Sequence, residues 1–471
     1  MKNNTFESVP LLRIVISLMI GIVVGEYVTM PLSLSVVFVA LVVLALLLWK
    51  FPLLQSVAIS LCFLVLGTLL MQRQKHQQMS WPEGEVCYEA VVLSDPVEKP
   101  KTMAVDILLP ASHRKLKAYL YKDDRSRALS VGDGLRIQSR IQSNQRYQDR
   151  TFVSSWKWQR ANVSLKGLSY LERTKLFFLK QRSRLLSRFH PLPPDTYAVV
   201  AAMAFGDKST LTKDLRDTYS ATGASHILAL SGLHLGIIYS LIALLLGGRR
   251  RFTIHFSLFT VLSIWGYVFL VGMPVSVVRS ALMLSLYALL SLGHRDRMTV
   301  NTLAFTAIVL LVINPQSLFD VGFQMSLMAV FAILLFVPLF EMVFSQQYLM
   351  DHRLLKWIWS MLSVSLAAQL GVAPLIAYYF GRLSTCFLLT NFIVIPAATL
   401  ILYLSLVVLV IPSLAFLLVE LVSLLNAVLT RMSAIPGASI EGLHTSIIQV
   451  AMMYVIIAAV YLLIIRLSRS T

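Results

Sequence analysis

The chain has 471 residues, 57% of them hydrophobic and only 14% charged, and carries a formal net charge of +18. Its apolar runs are of about 18 residues or more and continuous, which excludes a soluble globular domain and also a transmembrane β-barrel, whose strands are short and alternating. Three cysteines without metal-type Cys/His spacing exclude a disulfide framework and a zinc site of the common kinds. No metal or cofactor is expected.

Three spans come first, at 11–28, 32–49 and 53–71. The first lacks a small-residue cleavage site and reads as a retained helix. The chain then turns polar over 72–175, with short alternating runs at 86–92, 103–109, 116–121 and 135–141 and a last one suggested at 162–167. Gly132-Asp-Gly134 supplies a turn. Such a set of strands fits a small OB-type barrel, and a β-sandwich fits the same periodicity. From Gln72 to Phe189 the sequence has 23 Lys and Arg against 11 Asp and Glu. That asymmetry points to an anionic partner: nucleic acid, anionic lipid or an acidic polymer. Trp156 and Trp158 are candidates for stacking on bases, or for a place in the core. Residues 173–189 read as a basic amphipathic helix lying in the headgroup plane. Pro191, Pro193 and Pro194 break it.

Nine further spans follow, at 227–246, 252–272, 275–292, 300–313, 321–344, 357–379, 386–411, 414–430 and 447–465. The expected architecture is thus a polytopic α-helical membrane protein of about twelve crossings with an inserted, small, all-β, OB-like domain. Its parts are an N-terminal helical unit (1–71), a basic β domain (72–175), an interfacial helix and linker (176–195) and a helical domain (196–471). With the N-terminus inside, the basic stretches at 49–50, 249–251, 294–297, 353–356 and 466–469 all fall on the cytoplasmic side, as short loops should. The β domain then lies outside, and both termini are cytoplasmic.

Polar groups inside apolar runs are functional candidates. The richest stretch is Thr222-Gly-Ala-Ser-His-Ile-Leu-Ala-Leu-Ser-Gly-Leu-His-Leu-Gly236. Here Ser231 and His234 share a helix face, and Gly232 and Gly236 form a G-x-x-x-G seam. His226 and His234 are candidates for a polar pathway. A Ser231 nucleophile with a His234 base is the catalytic alternative, but no carboxylate stands near to orient the histidine, so no enzyme activity is expected. Arg279 lies just inside its span, facing protein or water or snorkelling to the interface, and a guanidinium there suits phosphate. Gln324, Gln369 and Asn391 are further polar candidates, with Pro338, Pro374 and Pro396 at expected kinks. No Walker-type phosphate loop and no H-E-x-x-H motif occurs.

Taken together, these segments resemble the ComEC-type competence family. The resemblance is carried by Ala204-Phe-Gly-Asp-Lys208, the 222–235 stretch with Gly223, Val277-Val-Arg-Ser-Ala-Leu-Met283, Asn314-Pro315, Asp320-Val-Gly-Phe-Gln-Met-Ser326, Gln369 through Pro374, Phe380-Gly381, and Asn391 through Pro396. It implies an inner-membrane channel through which transforming single-stranded DNA enters bacteria. A separate DNA receptor and a cytoplasmic motor are implied as partners, with membrane lipid around the chain and homo-oligomer formation open. Many relatives carry a C-terminal metallo-β-lactamase-like domain. The sequence given ends at Thr471 without that domain's histidine motif, so degradation of the second strand is expected either to come from another protein or not to occur here. The alternative is a transporter or flippase of an anionic lipid or polymer.

Overall fold

A computed structural model describes residues 9–28, 34–77, 81–82, 84–142, 149–164, 167–245, 254–291 and 300–470. The basic stretches at 249–251 and 294–297 lie outside the described residues. Three helices open the chain: α1 (Pro10–Tyr27), α2 (Leu34–Leu47) and α3 (Pro52–Gln77). Helices α1 and α3 approach at backbone distance because glycines line their crossing. A Cβ on Gly21 would stand 1.9 Å from the Leu64 carbonyl oxygen, and one on Gly67 2.4 Å from that of Leu18. The Thr68 hydroxyl donates to the Gly21 carbonyl at 2.9 Å, closing the seam.

The inserted domain comprises β1 (Val86–Val92), β2 (Val97–Glu98), β3 (Thr102–Leu109), β4 (Arg114–Tyr121), α4 (Asp124–Arg127), β5 (Gly134–Ser139), β6 (Ile141–Gln142), β7 (Arg150–Val153) and β8 (Trp158–Arg160). They form one curled sheet in the order β6-β7-β4-β3-β1-β5-β8, with β2 beside β3. Strand β4 pairs parallel with β7 and the other pairs are antiparallel. Alternation sends Val105, Ile107, Leu116, Leu120 and Leu135 into the curl. Of the strand expected at 162–167, residues 165–166 lie outside the described residues and the rest is not strand; the domain's last strands lie upstream, as β7 and β8. The signal was Thr151 and Val153 buried between exposed Arg150 and Phe152.

Helix α5 (Tyr170–Ser187) is capped by Ser169 with Glu172, a capping box. Its apolar stripe does not lie free in a headgroup plane. Leu176 and Leu179 pack on Val91, Leu108 and Val131 on the outer face of the sheet. Phe178 stacks on Phe269, 5.6 Å between centroids. The helix therefore ties the β domain to the helical block.

That block holds α6 (Pro194–Phe205), α7 (Lys213–Ala221), α8 (Ser225–Leu228), α9 (Gly232–Leu245), α10 (Ile254–Leu270), α11 (Val275–Ser291), α12 (Val300–Ile313), α13 (Val321–Phe340), α14 (Gln346–Asp351), α15 (Arg353–Phe380), β9 (Arg382–Ser384), α16 (Phe387–Val410), α17 (Ala415–Ser433), β10 (Ser439–Glu441) and α18 (Ile447–Ser470). Seven described helices are long and apolar enough to cross a membrane: α1, α3, α13, α15, α16, α17 and α18. Shorter apolar helices α2, α9, α10, α11 and α12 accompany them. The chain is thus mostly helical and membrane-embedded, with an inserted curled sheet. One expected span differs in kind. Residues 227–246 are not a single helix, because Ala229 turns extended (ψ 123°) between α8 and α9. Helix α6, buried and apolar from Ala198 to Phe205, forms the centre of the largest core with α16 and α17. The helices α15 and α16 continue through Pro374 and Pro396. The expected end at Phe380 is made by Gly381, whose φ of +61° suits glycine.

Candidate functional site

The glycine- and histidine-bearing stretch forms a polar turn between short helices. Gly223 adopts φ +83° and ends α7, packing so closely that an added Cβ would lie 3.0 Å from that of Ser384. His226 is exposed, and its Nδ1–H donates to the Gly223 carbonyl at 2.9 Å. Its Nε2 is then left as the acceptor of the neutral ring. Helix α9 starts at Gly232, and the Ser231 backbone N–H donates to His234 Nδ1 at 3.3 Å. The Ser231 hydroxyl lies 3.2 Å from the same nitrogen. This is a helix cap in which histidine takes the place usually held by Glu or Gln. Because Nδ1 accepts, the neutral ring carries its proton on Nε2, beside the Ile227 backbone, and His234 is 0% exposed.

Helix α11 abuts this turn. Ser276 donates to the Leu230 carbonyl at 2.9 Å, and a Cβ on Gly232 would lie 2.8 Å from the Ser280 hydroxyl. The G-x-x-x-G seam therefore holds at Gly232 alone: a Cβ on Gly236 would meet nothing within 4 Å. Between those two serines, Arg279 does not snorkel. It is 1% exposed, with its Nη1 3.4 Å from the Phe323 carbonyl. Its Nε and Nη2 make no hydrogen bond among the described residues. Asp320 acts on it electrostatically but caps α13, accepting from the Phe323 N–H at 2.8 Å. A buried guanidinium with two idle donors is a ready acceptor of an anion.

The remaining candidates divide. Gln324 is structural: it donates to the Leu318 carbonyl at 2.9 Å and accepts from the Tyr379 hydroxyl at 2.8 Å. Asn391 leaves its Oδ1 buried without a partner among the described residues. Gln369 is half-buried on α15. Among the described residues, no hydrogen bond joins Gln369 or Asn391 to the 222–234 turn. Pro374 is buried within α15, and Pro396 half-buried within α16.

In the β domain, Trp158 takes the core place, the second of its two expected alternatives. It is 4% exposed, and Arg125 covers it at 5.2 Å. Trp156, in the turn before β8, is 80% exposed. A basic and aromatic platform that composition did not single out lies across β4 and β7. The parallel register sets Lys117 opposite Arg150 and Tyr119 opposite Phe152. The two rings stack at 4.9 Å, and Phe152 is 52% exposed. Lys115 and Tyr121 extend the same outward row. The signal was the alternation Lys115, Lys117, Tyr119, Tyr121. Where α5 meets this row, burial and the neighbouring Lys115 hold the Lys175 ammonium down to about 7.

Comparison with known proteins gives several relatives. The chain is 31% identical over 258 residues to ComE operon protein 3 of Bacillus subtilis, a match covering 54% of this chain and 31% of that protein. It is 25% identical over 244 residues to Recombination protein 2 of Haemophilus influenzae, covering 50% of this chain and 30% of the relative. An uncharacterized protein of Aquifex aeolicus is 29% identical over 236 residues, covering 49% of this chain and half (50%) of its own length. The matches thus cover about 30% to 50% of the length of these three relatives. No solved structure matches it. The pattern of the Competence protein family matches residues 203–467, a stretch holding the polar turn, Arg279 and the β9–β10 pair alike, and the chain belongs to that family.

Proposed function

We propose that the chain is a channel that passes single-stranded DNA into the cytoplasm of a bacterium across its inner membrane. The observation that carries this reading is the platform of Lys117, Arg150, Tyr119 and Phe152. Cations beside stacked rings suit a flexible polyanion with exposed bases. The sheet supports it. The order β1-β3-β4-β7, with β6 beside β7, β5 back beside β1 and a parallel β4–β7 pair, fits an OB-type Greek-key barrel. The names of two relatives, which speak of the ComE operon and of recombination, point the same way.

In this reading the N- and C-termini are cytoplasmic and the β domain lies outside, where its basic face needs an anionic ligand to account for it. About twelve segments traverse the membrane. The strand passes from the platform to the polar turn, with His226, Ser231, His234 and Arg279 along its course. The chain performs no catalysis. A separate receptor delivers DNA and a cytoplasmic motor draws it in. The test is uptake of labelled DNA into the cytoplasm in a transformable host lacking this chain, complemented with the wild type or with Lys117→Ala/Arg150→Ala. Uptake should vanish in the deletion and fall in the variant; undiminished uptake in the deletion sinks the proposal. The contact between Ser231 and His234 favours one rival, an intramembrane hydrolase, and Ser231→Ala decides against it if uptake persists.

A further inference from the structure

Helix α5 changes partners along its length. Leu176 packs on the outer face of the sheet, where Leu108 stands opposite Lys115 in the β3–β4 register. Leu179 belongs to the same cluster but also reaches the turn between α10 and α11, where a Cβ added to Gly272 would lie 3.3 Å from it. Leu186 joins the core around α6. The helix therefore runs from beside β4 into the helical block.

Cations line that course. Lys175 and Arg182 stand two helical turns apart, so they share a face at a spacing of about 10 Å. The Lys175 ammonium lies within hydrogen-bonding reach of that of Lys115, with Arg182 acting on it from further off. Lys115 precedes Lys117 by one pleat of β4, about 7 Å, and Lys117 faces Arg150 across the ladder. The order of cations is thus Arg150, Lys117, Lys115, Lys175, Arg182. Acids are fewer. Asp106 stands opposite Lys117 and offsets the charges around Lys175 only weakly. Asp95 acts on Arg182 but is bonded to Ser183 at 3.2 Å. Arg182 is 9% exposed, and its Nε has no hydrogen-bond partner among the described residues. Two adjoining ammonium groups on a half-buried surface repel each other until one sheds its proton or an anion comes between them.

The far end of this row meets the polar turn. Arg182 Nη1 would stand 3.8 Å from a Cβ on Gly272, and glycine, at φ +86°, puts no side chain between that nitrogen and the α10–α11 turn. An added Cβ on Gly206 would meet both Val271 of that turn and Leu230. Four residues beyond Gly272, Ser276 holds the Leu230 carbonyl next to Ser231. The row therefore begins at the stacked rings of Tyr119 and Phe152 and ends beside the 222–234 stretch.

We propose that Lys115, Lys175 and Arg182 form a phosphate track that leads a single strand from the β4–β7 face along α5 to the polar turn. The track rests on the channel reading, which supplies the strand; ammonium and guanidinium donors supply charge-assisted bonds to its phosphates. The test uses the full chain in detergent and labelled oligothymidylates of about 5 and about 15 nucleotides, the short one confined to the face and the long one able to reach Arg182. Lys175→Met removes a repelled charge and should fold. It should leave the short strand's affinity within about twofold, weaken the long strand about 5- to 10-fold and flatten the long strand's salt slope by about 0.7. Arg182→Gln should act alike on the long strand, and Lys175→Met decides alone should Arg182→Gln not accumulate. The long strand's affinity should also rise more steeply as pH falls from about 8 to about 6 in the wild type than in Lys175→Met, because phosphate loads a proton onto Lys175. A long strand unmoved by Lys175→Met, or the same loss at both lengths, overturns the track. So does labelled phosphatidylglycerol that the wild type retains and Lys175→Met loses while both oligonucleotides bind as before, since the pair would then hold a lipid headgroup. If neither length binds the wild type, the channel reading and the track fall together; a short strand that binds, beside a long one indifferent to Lys175, sinks the track alone.

Discussion

Arg279 is a cation held away from water with one long hydrogen bond and no ion pair among the described residues. A group kept for stability would be paired, because a buried unpaired charge destabilises. Arg279→Met should therefore leave the melting temperature of the detergent-solubilised protein unchanged or raise it. DNA uptake should fall by about 10- to 100-fold, the worth of one or two charge-assisted hydrogen bonds. Arg279→Lys should not restore it, since an ammonium lacks the forked donors. A lower melting temperature with uptake intact would make Arg279 a packing residue. Ser231→Ala removes the hydroxyl's hydrogen bond with His234 and should destabilise by about 1 kcal/mol, with uptake retained. Abolished uptake at normal abundance would revive the hydrolase. These residues were legible in the sequence because polar groups stand out in apolar runs. Their division of labour was not. Trp156 and Trp158 look equivalent two positions apart, yet one sits in a turn and the other in a strand facing the core.

At the scale of elements, glycine matters where backbones meet. Gly21→Ala places a methyl on the Leu64 carbonyl, a rigid neighbour, and should destabilise by about 1–3 kcal/mol. Gly236→Ala meets nothing and gains helix propensity, so it should be neutral or stabilising. Thermal melts of the two variants in one detergent check the contrast. The docking of α5 on the sheet should depend on pH through Lys175, lowered from 10.5 to about 7 by burial and then by Lys115. Between those values the unfolded chain binds a proton that the folded one does not. Stability should therefore rise with pH from about 7 to 10.5 and gain nothing from this group below 7. Lys175→Met should raise the melting temperature at neutral pH and flatten its rise toward pH 10; an unchanged slope would show that Lys175 titrates normally. The apolar periodicity located all twelve long or short apolar helices of the described chain. It could not reveal the break at Ala229, because apolar side chains continue across it. Strands of three residues, like β9 and β10, are too short for a period to register.

Across the whole molecule, the formal charge of +18 says that an anion is wanted but not where. Much of the β domain's charge is already paired: Arg136 with Glu89 at 3.7 Å, Arg160 with Asp133 at 3.5 Å, and Lys122 with Glu98. Lys115, Lys117, Arg140 and Arg150 make no ion pair among the described residues and gather about β4 and β7, so the usable charge is local. Only the register of a parallel pair joining strands far apart in sequence assembles that surface, which is why composition pointed to the domain but not to the face. If the face binds single-stranded DNA, the logarithm of the full chain's affinity should fall against the logarithm of salt with a slope of about −3, four contacts at about −0.7 each. Lys117→Ala/Arg150→Ala should flatten the slope by about 1.4. Tyr119→Ala or Phe152→Ala should weaken binding by about 1–3 kcal/mol at every salt concentration and leave the slope alone, because stacking releases no counterions. Fluorescence anisotropy with a labelled oligonucleotide reads both quantities. Were the charge substitutions to leave the slope untouched, the strand would be binding elsewhere on the molecule, and the β4–β7 face would lose its role even if uptake itself were real.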